Sequence, residues 1–505
     1  MAAPQAAFVL PVLVFTWILY QVFYAYFLSP VRHIPGPFWS RVTPIPLRLA
    51  SFKSKRYVYT SGLLQKYGPI VVIAPDQVHT SDDEAMKIIY DRNSPKTSFY
   101  TVAGKYKGVN MVLGTIDHSS AVSIRSNLLQ CFQNKNLSSL SDAIESHLSA
   151  FVKFLYQRAD RNEAVLDGIF WLRLLTLDTV TDILWGDKHD LVNNRSHENS
   201  ALMTRFHQWS KFMALRGFIP GFELWVRTCG TKYYKELRRG WDTVDIYARQ
   251  ALEKWEAGET KSHSRDVLSM LLAMNSKKDL TKKNIPVKDL PVYMVEAMSA
   301  GSGTTSNTTT LAFWMIARHK AVQDRLRREL FEVFPAAEEI DMKQCLNIKY
   351  LEWVIYEVMR LWPILPGPLY RHLGQPITVN GLTVPQRVIA STAAIDQHKL
   401  PDIFPEPEMF NPERWRDATE SMKRNWIPFG YGSRSCPGQN LGLTELKYFV
   451  AVLLRHFRCE IPEGMQESQI ELRDPFTATV WERASEKDPW KNEVLLKFVP
   501  QREAA

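Results

Sequence analysis

Five cysteines in 505 residues, Cys131, Cys229, Cys345, Cys436 and Cys459, are too few, odd in number and too widely spaced to frame a disulfide scaffold. No CxxC pair occurs, which removes a structural zinc site as well and fits a reducing compartment. Low-complexity linkers and internal repeats are also missing from the middle of the chain, so one large body is expected rather than three modules of about 150 residues. Acidic residues are absent from the first 75 positions, which hold Arg32, Arg41, Arg48, Lys53, Lys55, Arg56 and Lys66. Removing those seven from the 62 bases leaves 55 against 53 acids in the remainder. The net charge of +9 is therefore a local property, and it carries no argument for nucleic acid as a partner.

One long hydrophobic run is present, from Ala6 to Leu28. About 20 such residues cross a bilayer, so the run reads as a transmembrane helix. It lacks a basic start and carries Tyr20, Phe23, Tyr24, Tyr26 and Phe27 at its far end, which argues against a cleaved signal peptide. All seven early bases follow it. The positive-inside bias then puts the body in the cytosol, a single-pass topology that fits the endoplasmic reticulum membrane, with lipid as a partner. The expected organisation is an anchor over residues 1–31, a basic, proline-rich hinge over 32–56, and a single catalytic domain over 57–505.

Within the body, the segment Tyr67 to Pro75, an apolar run bounded by Gly and Pro, suggests strand structure, about 120 to 360 reads as mainly helical, and Ile377 to Ser391 as β-rich around a hairpin at Asn380-Gly381. Helical and strand regions are segregated, so the fold class is mainly α with smaller β regions, α+β rather than alternating. Residues 396 to 435 carry Pro401, Pro405, Pro407, Pro412 and Pro428 with little periodicity. Long irregular segments in compact domains are usually functional. This one ends in Phe429-Gly-Tyr-Gly-Ser-Arg434-Ser-Cys436-Pro-Gly438, ahead of an amphipathic helix from Gln439 to Phe457.

A cysteine just before a helix N-terminus gains from the dipole and from free N–H groups, both favouring the thiolate, which binds metals. Glycines at 430, 432 and 438 let backbone approach a flat cofactor, and Arg434 offers a cation to a carboxylate. The pattern F-G-x-G-x-R-x-C-x-G arises by chance on the order of once in 10⁵ chains of this size. It resembles the haem-ligand signature of the cytochrome P-450 superfamily. The resemblance implies the cytochrome P-450 fold with an N-terminal transmembrane helix, and haem b bound through Cys436 as axial thiolate, a ligand that favours O–O cleavage. It also implies cofactor-binding roles for Phe429, Arg434 and Gly438.

Three more segments follow in the family's order. Glu357-Val-Met-Arg360 resembles its E-x-x-R helix, where i and i+3 share a face. Phe410-Asn-Pro-Glu-Arg414-Trp resembles the segment whose arginine joins that pair, so Glu357, Arg360 and Arg414 are expected as a buried charge network. The stretch from Leu290 to Leu330 is expected to be a helix broken near Ala300-Gly-Ser-Gly-Thr304, because glycines and hydroxyls weaken the ladder there. It resembles the family's oxygen-binding helix, with Thr304 as the catalytic residue. Gly303 stands where the family usually has an acid, so ordered water or Ser302 is expected to help deliver protons. Arg125 and Arg371 resemble propionate-binding arginines; the aromatic or histidine expected before Arg125 is Ala121.

The resemblance, strongest to fungal microsomal members of secondary metabolism, implies a monooxygenase using O2 and electrons from NADPH. These would arrive through cytochrome P-450 reductase, with cytochrome b5 as a second donor. The substrate is expected to be an apolar small molecule, lined by Tyr100 to Leu113, Phe206 to Phe222, Met294 to Gly301, Pro366 to Leu369 and Phe476 to Val480. Lys423, Arg424, Arg434 and Lys447 are expected to face an acidic electron donor. Two alternatives stay open: a haem-thiolate enzyme that desaturates or rearranges its substrate, and a non-enzymatic haem sensor.

Overall fold

In the computed structural model, which describes residues 3–186, 188–193, 212–258, 266–276, 285–336, 340–463, 470–474, 476–482 and 494–501, the apolar N-terminal run forms helix α1, Ala3–Phe23, ending in a π turn, Tyr24–Leu28. Among the described residues, its window Pro11–Leu28 is the one stretch long and apolar enough to cross a membrane, with a mean hydropathy of 1.6 and only 6% of it buried. The helix end is not free. Tyr24 Oη and Ser29 Oγ donate to the two carboxylate oxygens of Asp76 at 2.8 and 2.7 Å, fastening the span to the turn of a β-hairpin.

That hairpin joins β1, Ile70–Ala74, to β2, Gln77–Thr80. With β3, Leu369–His372, and β6, Ile389–Thr392, it makes a four-stranded sheet in the order β1-β2-β6-β3, parallel between β2 and β6 and antiparallel elsewhere. Strands β4, Ile377–Val379, and β5, Leu382–Val384, form the expected hairpin, with Asn380 and Gly381 both at positive φ, 48° and 77°. The proline-rich hinge packs on this sheet: the Val72 N–H donates to the Pro35 carbonyl at 2.8 Å. Arg56, counted above among the membrane-proximal bases, is fully buried and paired with Asp474 at 3.1 Å. Six bases, not seven, are left for the membrane side, because this one neutralises an acid 418 residues away.

The helical part surrounds α2, His118–Cys131, α3, Gly168–Trp185, α4, Leu290–Arg318, α5, Lys349–Leu361, and α6, Gln439–His456. α4 is the central rod, buried without interruption from Thr305 to Ala317. The expected break near Ala300 does not occur, since α4 runs unbroken to Arg318 and the chain turns at His319 instead. Hydroxyls do reach back onto carbonyls there, Thr304 to Ala300 at 2.6 Å and Ser302 to Met298 at 2.8 Å, but as additional bonds on an intact helix.

On α5, Glu357 is fully buried and receives five donors: Arg360 Nε and Nη2 at 2.9 and 2.8 Å, Arg414 Nε at 2.9 Å, Trp415 Nε1 at 3.0 Å and the Asn411 N–H at 3.0 Å. Arg360 Nη1 also holds the carbonyls of His398 and Pro407, at 3.0 and 2.6 Å. The irregular segment is thereby condensed into short turns and helices around one carboxylate. Removing one partner of a buried ionic cluster strands the others in low dielectric. Glu357→Ala should cost about 3–5 kcal/mol in urea unfolding, and a loss below about 1 kcal/mol would show that the cluster is not a structural keystone.

Candidate active site

Cys436 lies between a short 3-10 turn, Gly432–Arg434, and the start of α6. Its N–H donates to the Phe429 carbonyl at 2.8 Å, and the Ser435 N–H to the Gly432 carbonyl at 3.1 Å, so the decapeptide closes on itself. Gly432 has φ 70°, and a Cβ there would stand 2.6 Å from the Tyr90 carbonyl oxygen; conformation and space both demand glycine. Arg125 on α2 donates through Nε and Nη2 to Ser435 O and Oγ, both at 2.8 Å. Burial pushes the Cys436 thiol up, while the Gly438 N–H and Arg125 pull it down. The sequence argument counted only the favourable side; in the folded protein burial is the larger influence, and a metal cation at sulfur would reverse it.

Cys436 and Thr304 line the same cavity of about 460 Å³. Its walls are mainly apolar and draw on most of the expected lining segments, through residues such as Leu113, Ala214, Ala297, Leu369 and Phe476. Positions 206–211 of the second segment lie outside the described residues. The Ser302 hydroxyl is committed to Met298, while Gly303 has open space where a side chain would stand, so the missing acid is not a steric exclusion.

Four cations line this cavity, Arg173 and a mutually repelling group of three, Lys96, Arg371 and Arg434. Burial and mutual repulsion depress Lys96, with Arg371 and Arg434 both acting against its charge and Glu296 for it. Burial and Arg371 likewise lower Arg434, whose Nη atoms donate to the carbonyls of Thr115 and Ile116 at 2.9 and 2.8 Å. Arg371 rests against the rings of Tyr90 and Tyr100 at 5.6 and 5.5 Å. Among the described residues no group of three His, Cys, Asp or Glu could hold a bare metal ion. The site suits a metal that arrives with its own donors and with carboxylates for the cations.

A family model described as Cytochrome P450 matches residues 35–480. The chain belongs to that family. Similar proteins include cytochrome P450 monooxygenase gsfF of Penicillium aethiopicum, 26% identical over 463 residues, which cover 88% of this chain and 91% of the relative. Benzoate 4-monooxygenase bphA of Aspergillus niger is 26% identical over 486 residues, 89% of this chain and 92% of its own. Cytochrome P450 monooxygenase alt3 of Alternaria solani is 27% identical over 470 residues, with coverage of 90% and 88%.

As a cytochrome P450, the chain is a haem-thiolate monooxygenase, an oxidoreductase whose iron takes a cysteine thiolate. Cys436 is the one cysteine lining the cavity, and the cations there have the sign that suits carboxylates such as haem propionates. Of the bases expected to face an electron donor, Lys447 and Arg434 turn inward, Arg424 is half-buried and Lys423 stays exposed. Lys447 is buried and bonded to Glu352 at 2.5 Å and the Leu346 carbonyl at 3.2 Å. Arg434 turns inward, Arg424 pairs with Asp83 at 2.7 Å, and Lys423 with Glu420 at 2.8 Å. Residue type alone did not separate an inward amphipathic stem from a surface charge.

Lys96, Glu296 and Glu445 were not found from sequence. A signal existed for Glu296, the sole charge between Asp289 and Arg318 of an otherwise uncharged helix. Glu445 on α6 is buried, accepts from Thr305 Oγ1 at 3.3 Å, and is pushed up to about 8 by burial. The folded protein thus keeps a proton that the unfolded chain releases near pH 4.5. Its contribution to stability is complete below that pH and is lost as pH rises toward 8. Glu445→Gln should flatten the fall in urea midpoint between about pH 5 and 8, a difference on the order of a few kcal/mol; parallel profiles for variant and parent would refute a buried neutral carboxyl.

Proposed function

We propose that this cytochrome P450 is a membrane-anchored enzyme that oxidises an apolar small molecule, by hydroxylation, epoxidation or successive oxidations, in secondary metabolite biosynthesis. The observation that carries this is the single cavity that brings Cys436, Thr304 and apolar walls together. Cys436 would supply the thiolate to the iron of a haem bound there, and Arg371, Arg434 and Lys96 would face its propionates, while Arg125, expected from sequence at a propionate, donates to Ser435 of the cysteine loop. Haem bound there supplies iron-centred activation of dioxygen.

The protein's own residues orient, shield and protonate. Thr304 presents its hydroxyl to the cavity from α4, already bonded to the Ala300 carbonyl at 2.6 Å. Beside it, the Gly303 carbonyl accepts from Ser306 Oγ at 3.1 Å and Asn307 Nδ2 at 2.7 Å. With no acid at 303, the neutral Glu445 carboxyl, which accepts from the adjacent Thr305, is a protonated carboxyl on the cavity lining near neutral pH. The walls exclude water and favour burial of an apolar substrate, worth about 25 cal/mol per Å².

Exposed α1, followed by Arg32, Arg41 and Arg48, supports a single-pass anchor in the endoplasmic reticulum with the catalytic part cytosolic. Electrons come from NADPH through a reductase, with cytochrome b5 as a second donor. Incubating microsomes containing the protein and a reductase with extracts of a strain lacking the gene, then identifying the consumed compound by mass, tests the whole reading. A product that gains no oxygen would favour desaturation or rearrangement. Cys436→Ala should lose the thiolate-type spectrum of the reduced carbonyl complex; a normal spectrum would remove the ligand assignment. Thr304→Ala should release peroxide and lower product formed per NADPH, typically by about tenfold or more for a lost proton-transfer group, whereas unchanged coupling would show that protons bypass this hydroxyl.

A further inference from the structure

The backbone at Val112–Leu113 is gripped by two charged side chains of opposite sign. Glu296 on α4 accepts the Val112 N–H at Oε2, 2.7 Å, and the Leu113 N–H at Oε1, 2.8 Å. Lys96 Nζ donates to the Leu113 carbonyl at 2.7 Å and, more weakly, to the Val112 carbonyl at 3.4 Å. Lys96 is only 8% exposed, and the part of Glu296 that is not covered opens onto the cavity it lines. Burial works against the charge of both groups, while the two N–H bonds to Glu296 and the attraction between Glu296 and Lys96 favour it, so the grip stands on the geometry of these hydrogen bonds.

Neighbouring contacts leave this segment little room to move. The Met111 N–H donates to the Gly104 carbonyl at 2.8 Å, and Thr115 Oγ1 to the Met111 carbonyl at 2.8 Å. Gly104 and Gly114 touch backbone to backbone: a Cβ on Gly104 would stand 2.5 Å from the Gly114 nitrogen. Tyr293 Oη, from α4, donates to the Asn110 carbonyl at 3.2 Å. Met111, Val112 and Leu113 in turn line the cavity that holds Thr304 and Cys436. Glu296 precedes Thr304 by eight residues, about 12 Å along the helix axis, so it holds the wall from a different turn of α4.

We propose that Glu296 and Lys96 are positioning residues whose joint grip on Val112–Leu113 fixes one wall of the cavity and so sets the size of apolar molecule that reaches the thiolate end. Both charges are satisfied by peptide groups, and the wall meets the substrate with Met111, Val112 and Leu113. The inference rests on the haem-thiolate reading above for its substrate part and on hydrogen bonding alone for its grip.

Two measurements on the full-length holoprotein test it. In hydrogen–deuterium exchange, Glu296→Ala should speed exchange of the Val112 and Leu113 amides by about tenfold or more, as expected for losing two charge-assisted bonds. Glu296→Gln, which keeps one carbonyl acceptor, should have a smaller effect, and Lys96→Met should loosen the same peptide. Unchanged exchange in all three overturns the grip. Titrating the haem absorption band with imidazole and with 1-phenylimidazole then reads the wall: Glu296→Gln should shift affinity for the larger probe several-fold while leaving imidazole alone. Equal shifts for both probes, or none, overturn the size-setting role. If the parent protein gives no band shift with imidazole, the haem reading fails, and the exchange result still decides whether Glu296 holds the wall.

Discussion

Everything near the cysteine loop depends on one carboxylate that cannot reach water. Glu357 receives five hydrogen bonds, and no subset of them would offset removing a charge from solvent. Satisfying it fixes Arg360 and Arg414, and Arg360 in turn fixes the carbonyls of His398 and Pro407. His398 is held neutral, pushed down to about 3 by burial, and its Nε2 accepts the Ile427 N–H at 2.8 Å while Nδ1 meets the Arg360 carbonyl at 3.0 Å. Trp426 donates to the Tyr356 carbonyl at 3.0 Å, and its ring lies 6.3 Å from that of Phe429, whose carbonyl receives the Cys436 N–H. A continuous run of satisfied polar groups and packed rings thus leads from α5 to the sulfur.

The cavity side of the molecule obeys the opposite rule. Around Glu357 charges are matched, whereas Lys96 and Arg434 are each held down by burial and by neighbouring cations, although both donate to backbone carbonyls. Such repulsion weakens the fold unless anions relieve it, which ties stability to cofactor binding. Glu296 and Glu445 show the same contrast between carboxylates. Burial raises both, but at Glu296 two N–H groups and a lysine oppose it, whereas Glu445 has a single hydroxyl and stays protonated near neutrality.

Local motifs were legible because their meaning lies in adjacent residues. The glycine spacing around Cys436, the hairpin at Asn380-Gly381 and the apolar run of α1 each act within a few turns of backbone. Glycine and hydroxyl content near Ala300 misled for the complementary reason: propensity predicts a break, yet packing of α4 through the core holds the helix straight on to Arg318. Charged residues were least legible. Arg56 looked like a membrane-side base until Asp474 came against it, and Lys447 looked like a docking charge until Glu352 covered it.

What the amino-acid order determines by itself is therefore the apolar N-terminal helix, the fold class, the family and the cysteine loop, since periodicity, turn chemistry and a contiguous signature require no distant partner. Only the tertiary structure decides which charges are buried, which carboxyl keeps its proton and which loop walls the cavity. Those properties are set by desolvation and by partners dozens to hundreds of residues away, such as Lys96 and Glu296 meeting across Val112–Leu113.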